Sequence, residues 1–309
     1  MSGSSEEGRE RGGAGDAGRA GGGGPAPVER RRLRVGPVDG RVLLAGPEEA
    51  REAAVFVHGN PGSADDWGRL AAAIGGVGRA VALDLPDFGE TEAPAGFDHS
   101  AAGYAGYLDK ALEALGVERA HVVLHDFGGP IGLTWAASAP ERLGSVTLID
   151  TGVLPGYRWH RLARVWRTPV LGELFMASTT RFGFRTVIAR GEPMGLPREF
   201  VDRMYDHYDR RARRAVLRLY RATDEPGSAP PELVERLSQR DLPALVIWGE
   251  HDRYVPASYA VRQRELFPSA DVHVLASSGH WPFVDAAETV ERLLLGFLGP
   301  LLRPTEVRA

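Results

Sequence analysis

Seven short apolar runs, separated by stretches with helical spacing, constrain the fold of this 309-residue chain more than any other feature. The runs are continuous rather than alternating, and continuous apolar strands are buried on both faces of a sheet. Segments such as 102–115 and 286–298 have the spacing of amphipathic helices. The pattern therefore predicts an α/β fold, with a mostly parallel central sheet flanked by helices. The predicted strands are 41–44, 53–57, 79–85, 122–124, 146–149, 245–248 and 272–275.

One long stretch, residues 150–242, lacks a convincing buried strand and interrupts this alternation. Its helical pieces are rich in arginine and aromatic residues, which predicts a helical cap inserted over the carboxyl ends of the strands, where such sheets bind ligands. Most of its aromatic side chains are expected to pack the cap, and a few to line a pocket beneath it. Residues 225–231, rich in proline, glycine and serine, are expected to lead back to the core.

The two ends of the chain differ from the rest in composition. Residues 1–32 are rich in glycine, arginine and glutamate and almost free of large apolar side chains, so we expect a disordered tail. The predicted organisation is this tail, a first core part at 33–152, the cap at 153–238, a second core part at 239–303 and a short tail at 304–309.

Composition narrows the class of protein. With 43% hydrophobic and 25% charged residues and a net charge of −4, the chain is typical of a soluble enzyme and offers no basic stripe for nucleic acid. It has no cysteine, which excludes disulfides, thiol nucleophiles and cysteine-bound metals. It has neither a run of about 18 apolar residues nor a signal-peptide pattern, so we expect no membrane association and a cytoplasmic location.

Residues 120–130 read as a buried strand, a sharp turn at Asp126 and the start of a helix. This is similar to the nucleophile elbow of α/β-hydrolases, where a serine usually occupies the apex. A carboxylate is a poor match for serine acyl chemistry, but it can displace a leaving group from a saturated carbon and form an alkyl ester. The aspartate therefore favours cleavage of a carbon–halogen bond or an epoxide. It could instead cap the helix, but a buried strand running directly into Asp-x-Gly-Gly favours a nucleophile.

Four segments occur in the order typical of haloalkane dehalogenases and epoxide hydrolases: His-Gly-Asn-Pro at 58–61, the Asp126 turn, Gly-Glu-His-Asp at 249–252 and Ser-Gly-His-Trp at 278–281. The resemblance covers roughly residues 35–300. It implies an α/β-hydrolase fold with a cap, a monomer or homodimer, a small-molecule substrate and water as partners, and chemistry without a cofactor. No group of residues has metal-ligand spacing.

The chain order of this fold places the acid and the histidine after the nucleophile. His280 would activate a water that attacks the Asp126 ester. Asp252 would accept from the other ring nitrogen and orient the imidazole, with Asp150, at the preceding strand end, as the alternative acid. Backbone N–H groups of Phe127 and Asn60 are the expected donors to the tetrahedral oxyanion.

Two positions bear on the leaving group. In the dehalogenases that the chain resembles, an asparagine of the His-Gly-Asn-Pro loop and a tryptophan after the nucleophile hold the halide. Asn60 matches the first, but Phe127 replaces the second and has no donor. A tryptophan of the cap, Trp159 or Trp166, is the candidate for the missing N–H.

Epoxide hydrolases instead use cap tyrosines to protonate the opening oxygen, and Tyr205, Tyr208 and Tyr220 are the candidates here. They usually carry a bulky residue at the position of Asn60 and a glycine at that of Leu124. These two differences favour dehalogenase-like cleavage of a carbon–halogen bond, with an epoxide hydrolase as the alternative. A pathway-specific α/β-hydrolase or a non-catalytic small-molecule binder is the second alternative.

Overall fold

The computed structural model describes residues 24–223 and 231–303, which include one eight-stranded sheet. Residues 1–23 of the tail predicted at 1–32, the tail predicted at 304–309, and residues 225–230 of the predicted connection lie outside the described residues. The strand order is β1-β2-β4-β3-β5-β6-β7-β8; β2 pairs antiparallel with β1 and β4, and the other neighbours are parallel. The strands are β1 Val28–Val35, β2 Val38–Ala45, β3 Glu52–Val57, β4 Arg79–Leu83, β5 Arg119–His125, β6 Leu143–Ile149, β7 Ala244–Gly249 and β8 Asp271–Leu275.

Helices flank this sheet, which confirms the predicted fold class. The central strands β4, β6 and β7 are buried along their whole length, as their continuous apolar sequences predict. No helix within residues 24–223 and 231–303 is long and apolar enough to cross a membrane. The helices are α1 Gly68–Gly75, α2 Ala101–Ala114, α3 Gly128–Ser138, α4 Arg161–Arg167, α5 Leu171–Ser178, α6 Arg181–Gly191, α7 Arg198–Asp206, α8 Arg210–Ala222, α9 Pro231–Ser238, α10 Pro282–Asp285 and α11 Ala287–Leu302.

The first strand corrects the predicted boundary of the N-terminal tail. β1 begins at Val28, inside the segment 1–32 that was expected to be disordered. It is an edge strand held by backbone pairing with β2 and by ion pairs of its arginines, including Arg31 to Glu48 and Arg32 to Asp39. Such a strand needs few large apolar side chains. Its low apolar content therefore led to a predicted start of the core that is too late in the sequence.

The inserted segment between β6 and β7 contains helices α4 to α9. Helix α4 contacts α5 and α8, and α6 contacts α7. Helix α9, inside the range 153–238 predicted for the cap, packs instead against α3 of the core, where Arg236 donates to the carbonyl oxygen of Ala137 at 3.1 Å. The last part of the predicted cap is therefore placed with the core.

Candidate active site

Asp126 sits at the turn between β5 and α3 with a left-handed backbone (φ +49°), which is uncommon for a residue other than glycine. The turn is tight because α3 starts directly against neighbouring backbone. A Cβ on Gly128 would collide with the carbonyl oxygen of Val57, and a Cβ on Gly129 would collide with Thr151. The sequence Asp-x-Gly-Gly thus allows the strained turn that carries the carboxylate.

The two oxygens of the Asp126 carboxylate have different environments. Oδ1 accepts the backbone N–H of Asn60 at 2.7 Å. Oδ2 lies 3.5 Å from Nε2 of His280, whose Nδ1 lies 2.8 Å from Oδ2 of Asp252. Asp126, His280 and Asp252, the residues predicted as nucleophile, base and acid, are therefore brought into contact with one another.

The negative charges of Asp126 and Asp252 and the positive charge of His280 stabilise one another. Burial by itself would raise the pKa of Asp126, but the hydrogen bond and charge of His280 and the Asn60 N–H lower this pKa to about 2. Burial opposes a charge on His280, yet the carboxylates of Asp252 and Asp126 raise the pKa of His280 well above its usual value. The resting site consequently holds an ionised Asp126 beside a protonated His280.

Asp150, the alternative acid, lies next to this group but has a different partner. It is fully buried, and its Oδ1 accepts the N–H of Gly249 at 3.0 Å while its Oδ2 has no partner among the described residues. Burial and the nearby charge of Asp252 raise the pKa of Asp150 well above its usual range, so it remains protonated. The contact with Nδ1 of His280 belongs to Asp252, which also accepts the N–H groups of Tyr254 and Val255.

The predicted leaving-group residues lie around one cavity of about 800 Å³ above the carboxylate. Asn60 is 6% exposed, and neither atom of its side-chain amide has a hydrogen-bond partner among the described residues. Phe127 is buried beside Trp159 and Tyr220, with ring centroids 6.1 and 4.7 Å away. The indole N–H groups of Trp159 and Trp166 are also buried without a partner in the described part of the chain.

The cap tyrosines divide into two groups. Tyr208 and Tyr220 line the cavity with the two tryptophans. Tyr205 does not: its ring packs against Phe184, with the guanidinium of Arg181 4.7 Å from its centroid. Tyr205 was one of three candidate tyrosines, and helical spacing does not tell which side of α7 faces inward.

Three further residues with titratable side chains, Tyr157, His160 and Tyr254, line the cavity without having been singled out in the sequence. Tyr254 stacks near His280 at 5.0 Å between ring centroids, and Tyr157 donates to the carbonyl oxygen of Tyr254 at 2.9 Å. Nδ1 of His160 accepts the N–H of Ala163 at 3.2 Å as the N-cap of α4, which leaves the proton on Nε2. Burial lowers the pKa of His160 to about 4, so this ring is neutral at pH 7. The one available sequence signal was a histidine just before a helix. This position indicates a helix N-cap and does not indicate that the side chain lines a cavity.

Within the part of the chain that the structure describes, two groups of acidic and histidine side chains are close enough together to hold a metal ion. In the first, Asp65 and Glu90 each lie 2.8 Å from Nη1 of Arg41, so a guanidinium already compensates their charge. The second is the set Asp150, Asp252 and His280 described above, in which His280 and Asp252 already bond each other. Neither arrangement gives a reason to add a metal ion.

Comparisons with known proteins agree with this fold. A hydrolase for 2-hydroxy-6-oxononadienedioate and 2-hydroxy-6-oxononatrienedioate from Burkholderia vietnamiensis is 30% identical over 259 residues, which cover 80% of this chain and 87% of that protein. The haloalkane dehalogenase DatA from Agrobacterium tumefaciens superposes with a TM-score of 0.75 at 21% identity, over 89% of this chain and 97% of that one. An epoxide hydrolase, CorEH, gives a TM-score of 0.75 at 14% identity, over 89% of this chain and 100% of that one.

The two structural similarities are too low in identity to indicate more than the fold. They confirm the predicted architecture of a sheet with an inserted cap, and leave the choice between the two enzyme types open. The model of the Alpha/beta hydrolase family matches residues 54–292, which is most of the chain. The chain therefore belongs to the alpha/beta hydrolase family.

Proposed function

We propose that this hydrolase uses Asp126 to displace halide from a saturated carbon and then hydrolyses the resulting alkyl ester. The observation that carries the proposal is the carboxylate itself: Asp126 lines the cavity, its Oδ1 is held by the Asn60 N–H, and its Oδ2 lies 3.5 Å from Nε2 of His280. Attack by a carboxylate on an acyl carbon would give a reactive anhydride, whereas attack on a saturated carbon gives an ester that a histidine-activated water can cleave.

The cavity favours an uncharged, largely apolar substrate. Among the described residues that line it there is no lysine or arginine, and the ionised groups are those of the site itself. A dicarboxylate such as that named for the relative from Burkholderia vietnamiensis would place at least one anionic end in a space whose described lining has no lysine or arginine and whose protonated His280 already pairs with Asp126 and Asp252, which is costly. The 30% identity to that relative therefore supports the family, and the lining supports a different class of substrate.

Formation of the ester needs a place for the departing halide. As Oδ2 attacks, the carbon–halogen bond breaks and the halogen leaves with the bonding electrons. The buried N–H donors of Asn60, Trp159 and Trp166 are suited to receive that anion: neither indole N–H has a partner among the described residues, and the Asn60 amide interacts with the neutral hydroxyl of Tyr220.

Hydrolysis of the ester follows from the change in charge. Once Asp126 is esterified, one of the two negative charges that stabilise the imidazolium is gone, so the pKa of His280 falls and its proton is released. The neutral ring can then accept a proton from water as the oxygen attacks the ester carbonyl. The alcohol leaves with that proton, the second proton of the water passes from the new Asp126 carboxyl group back to His280, and the carboxylate retains one oxygen atom from water. The proton that His280 released earlier goes to solvent and balances the charge of the halide ion.

A second candidate, epoxide opening, is favoured by one specific observation. Tyr220 is 2% exposed, lines the cavity and lies beside the Asn60 amide. Burial and the charge of Asp126 raise the pKa of Tyr220 well above its usual value, so its hydroxyl stays protonated and could donate to an opening epoxide oxygen.

A panel of small uncharged bromoalkanes and of matched epoxides separates these two functions. We expect one halide ion and one alcohol per bromoalkane consumed, with little diol formed from the epoxides. Halide is measured by ion chromatography and diol by mass spectrometry. Diol formation without halide release would replace the lead proposal with the epoxide reaction, and no product from either set would contradict both.

Substitution of Trp159→Phe and of Trp166→Phe tests where the halide is held. Each change removes an N–H and keeps an aromatic ring. Because a hydrogen bond to a charged group contributes about 1.5–3 kcal/mol, we expect kcat/KM for bromoalkanes to fall about tenfold to a hundredfold in the variant that loses the donor. Inhibition by added bromide should weaken in the same variant.

The matched control is Trp67→Phe, since Trp67 is another buried tryptophan with an unpartnered N–H but is not among the residues that line the cavity. Its kinetics should stay close to those of the unchanged protein. Normal bromide inhibition in both cap variants would mean that neither indole holds the halide.

A further inference from the structure

A carboxylate of the cap reaches the main chain of the histidine that the proposed mechanism uses. Glu192 directly follows α6, and its Oε2 accepts the backbone N–H of His280 at 2.7 Å, across 88 positions of sequence. The residue is only 1% exposed, and its Oε1 has no partner among the described residues. Burying a carboxyl group in this way is costly, so its presence on this particular N–H requires an explanation.

The loop before His280 is built to receive this carboxyl group. Gly279 has no side chain, and a Cβ there would collide with the carboxyl oxygens of Glu192. From the other side, Asp285 accepts the hydroxyl of Ser278 at 2.5 Å and the N–H of Gly279 at 2.8 Å. Two carboxyl groups, one from the cap and one from the core, thus hold three consecutive residues of the loop.

His280 itself is fixed at three points. Its N–H donates to Glu192, its carbonyl oxygen lies 2.8 Å from Nε2 of His125, and its Nδ1 bonds Asp252. Only the first of these contacts comes from the cap segment. The position of Nε2, 3.5 Å from Asp126, therefore depends on a contact that forms when α6 lies against the core.

We propose that Glu192 is a positioning residue that places His280 for hydrolysis of the alkyl-enzyme ester. This inference rests on the proposed function of Asp126. Attack by Asp126 on the substrate does not need a base, whereas hydrolysis needs the imidazole within reach of a water and of the ester carbonyl. Loss of the Glu192 contact should therefore slow the second step and spare the first.

Burial raises the pKa of Glu192 to about 7, so its neutral form is well populated near neutral pH. In either form an oxygen atom remains available to the His280 N–H. A glutamine at this position keeps that acceptor and resembles the neutral acid, whereas an alanine removes it.

The test compares Glu192→Ala with Glu192→Gln on a bromoalkane, using rapid-quench halide release and intact-protein mass. In the alanine variant we expect a normal first burst of halide, a steady-state rate about tenfold to a hundredfold lower, and accumulation of a protein species heavier by one alkyl group. The glutamine variant should turn over close to the unchanged protein without accumulating that species. If the alanine variant does not fold, Glu192→Asp replaces it, because its shorter side chain withdraws the acceptor while keeping a carboxylate.

Glu199→Ala is the matched control, since Glu199 lies on α7 of the same cap and is exposed. Equal slowing of both steps in the alanine variant, or an unchanged steady state, would overturn the inference about Glu192. Failure of the proposed function gives a different result, because the unchanged protein would then release no halide and no variant would gain the mass of an alkyl group.

Discussion

Replacement of Asp126 by asparagine is expected to reduce turnover by about 10⁴-fold or more, the scale seen when a nucleophile is removed from a hydrolase. The amide keeps the shape of the side chain and can still accept the Asn60 N–H, but it has no charged oxygen to attack the substrate. Halide release is the measurement, and the first burst should vanish together with the steady state.

Turnover in water enriched in oxygen-18 tests directly whether Asp126 becomes covalently bonded to the substrate. In a single turnover of the unchanged protein, the label should enter the carboxyl group of Asp126, because water attacks the ester carbonyl and not the substrate carbon. The peptide that contains residue 126 would gain the mass of one oxygen-18 substitution. Label found only in the alcohol product would mean that water attacks the substrate directly.

Asp66→Asn is the matched control for the asparagine variant. Asp66 is a buried carboxyl whose pKa burial raises to about 7, and it does not line the cavity. The same exchange of carboxyl for amide should leave turnover close to that of the unchanged protein. A similar loss in both variants would point to a folding defect and not to a nucleophile.

The core of the fold was predictable because two local signals agree. Continuous apolar runs identify the strands, and the residues directly after them meet at one edge of a parallel sheet. Asp126 follows β5, Asp252 follows β7 by three residues, and His280 lies beyond the end of β8. Their approach to one another therefore follows from the topology.

The choice between Asp150 and Asp252 could not be made from the sequence. Both lie just beyond the ends of neighbouring strands, and both are buried next to His280. Their roles separate only through hydrogen bonds: Asp252 has two backbone donors and the ring of His280, whereas Asp150 has a single backbone donor. The pKa of Asp150 is raised by its burial and by the charge of Asp252, so the proton lies on Asp150.

Sequence patterns also could not predict the contacts between the cap and the core. Glu192 carries no motif, and its partner His280 is 88 residues away. Tyr205 and Tyr208 lie three residues apart, yet only Tyr208 lines the cavity. Such outcomes depend on how short helices pack over the sheet, and composition and spacing leave that packing undetermined.

His280→Phe is expected to stop the reaction after the alkyl ester has formed and before it is hydrolysed. Formation of the ester requires only the ionised carboxylate of Asp126, so the variant should release about one halide per protein molecule and then almost stop. General base catalysis contributes about 10²- to 10⁴-fold, which is the expected slowing of ester hydrolysis. Removal of the imidazolium also removes a charge that lowers the pKa of Asp126, so the burst should be measured over a series of rising pH, in which its amplitude should increase as the carboxyl group becomes ionised.

The trapped alkyl-enzyme intermediate is detected by mass spectrometry. After exposure to a bromoalkane, the variant should be heavier by one alkyl group, and digestion should place that group on the peptide containing Asp126. His273→Phe provides the control, since His273 lies on β8, does not line the cavity and should leave turnover unchanged. A histidine variant that binds the substrate, releases no halide and gains no mass would identify a non-catalytic binder, whereas undiminished turnover would remove His280 from the mechanism. Because ester formation and ester cleavage are assigned to different residues, a single trapped species tests both assignments.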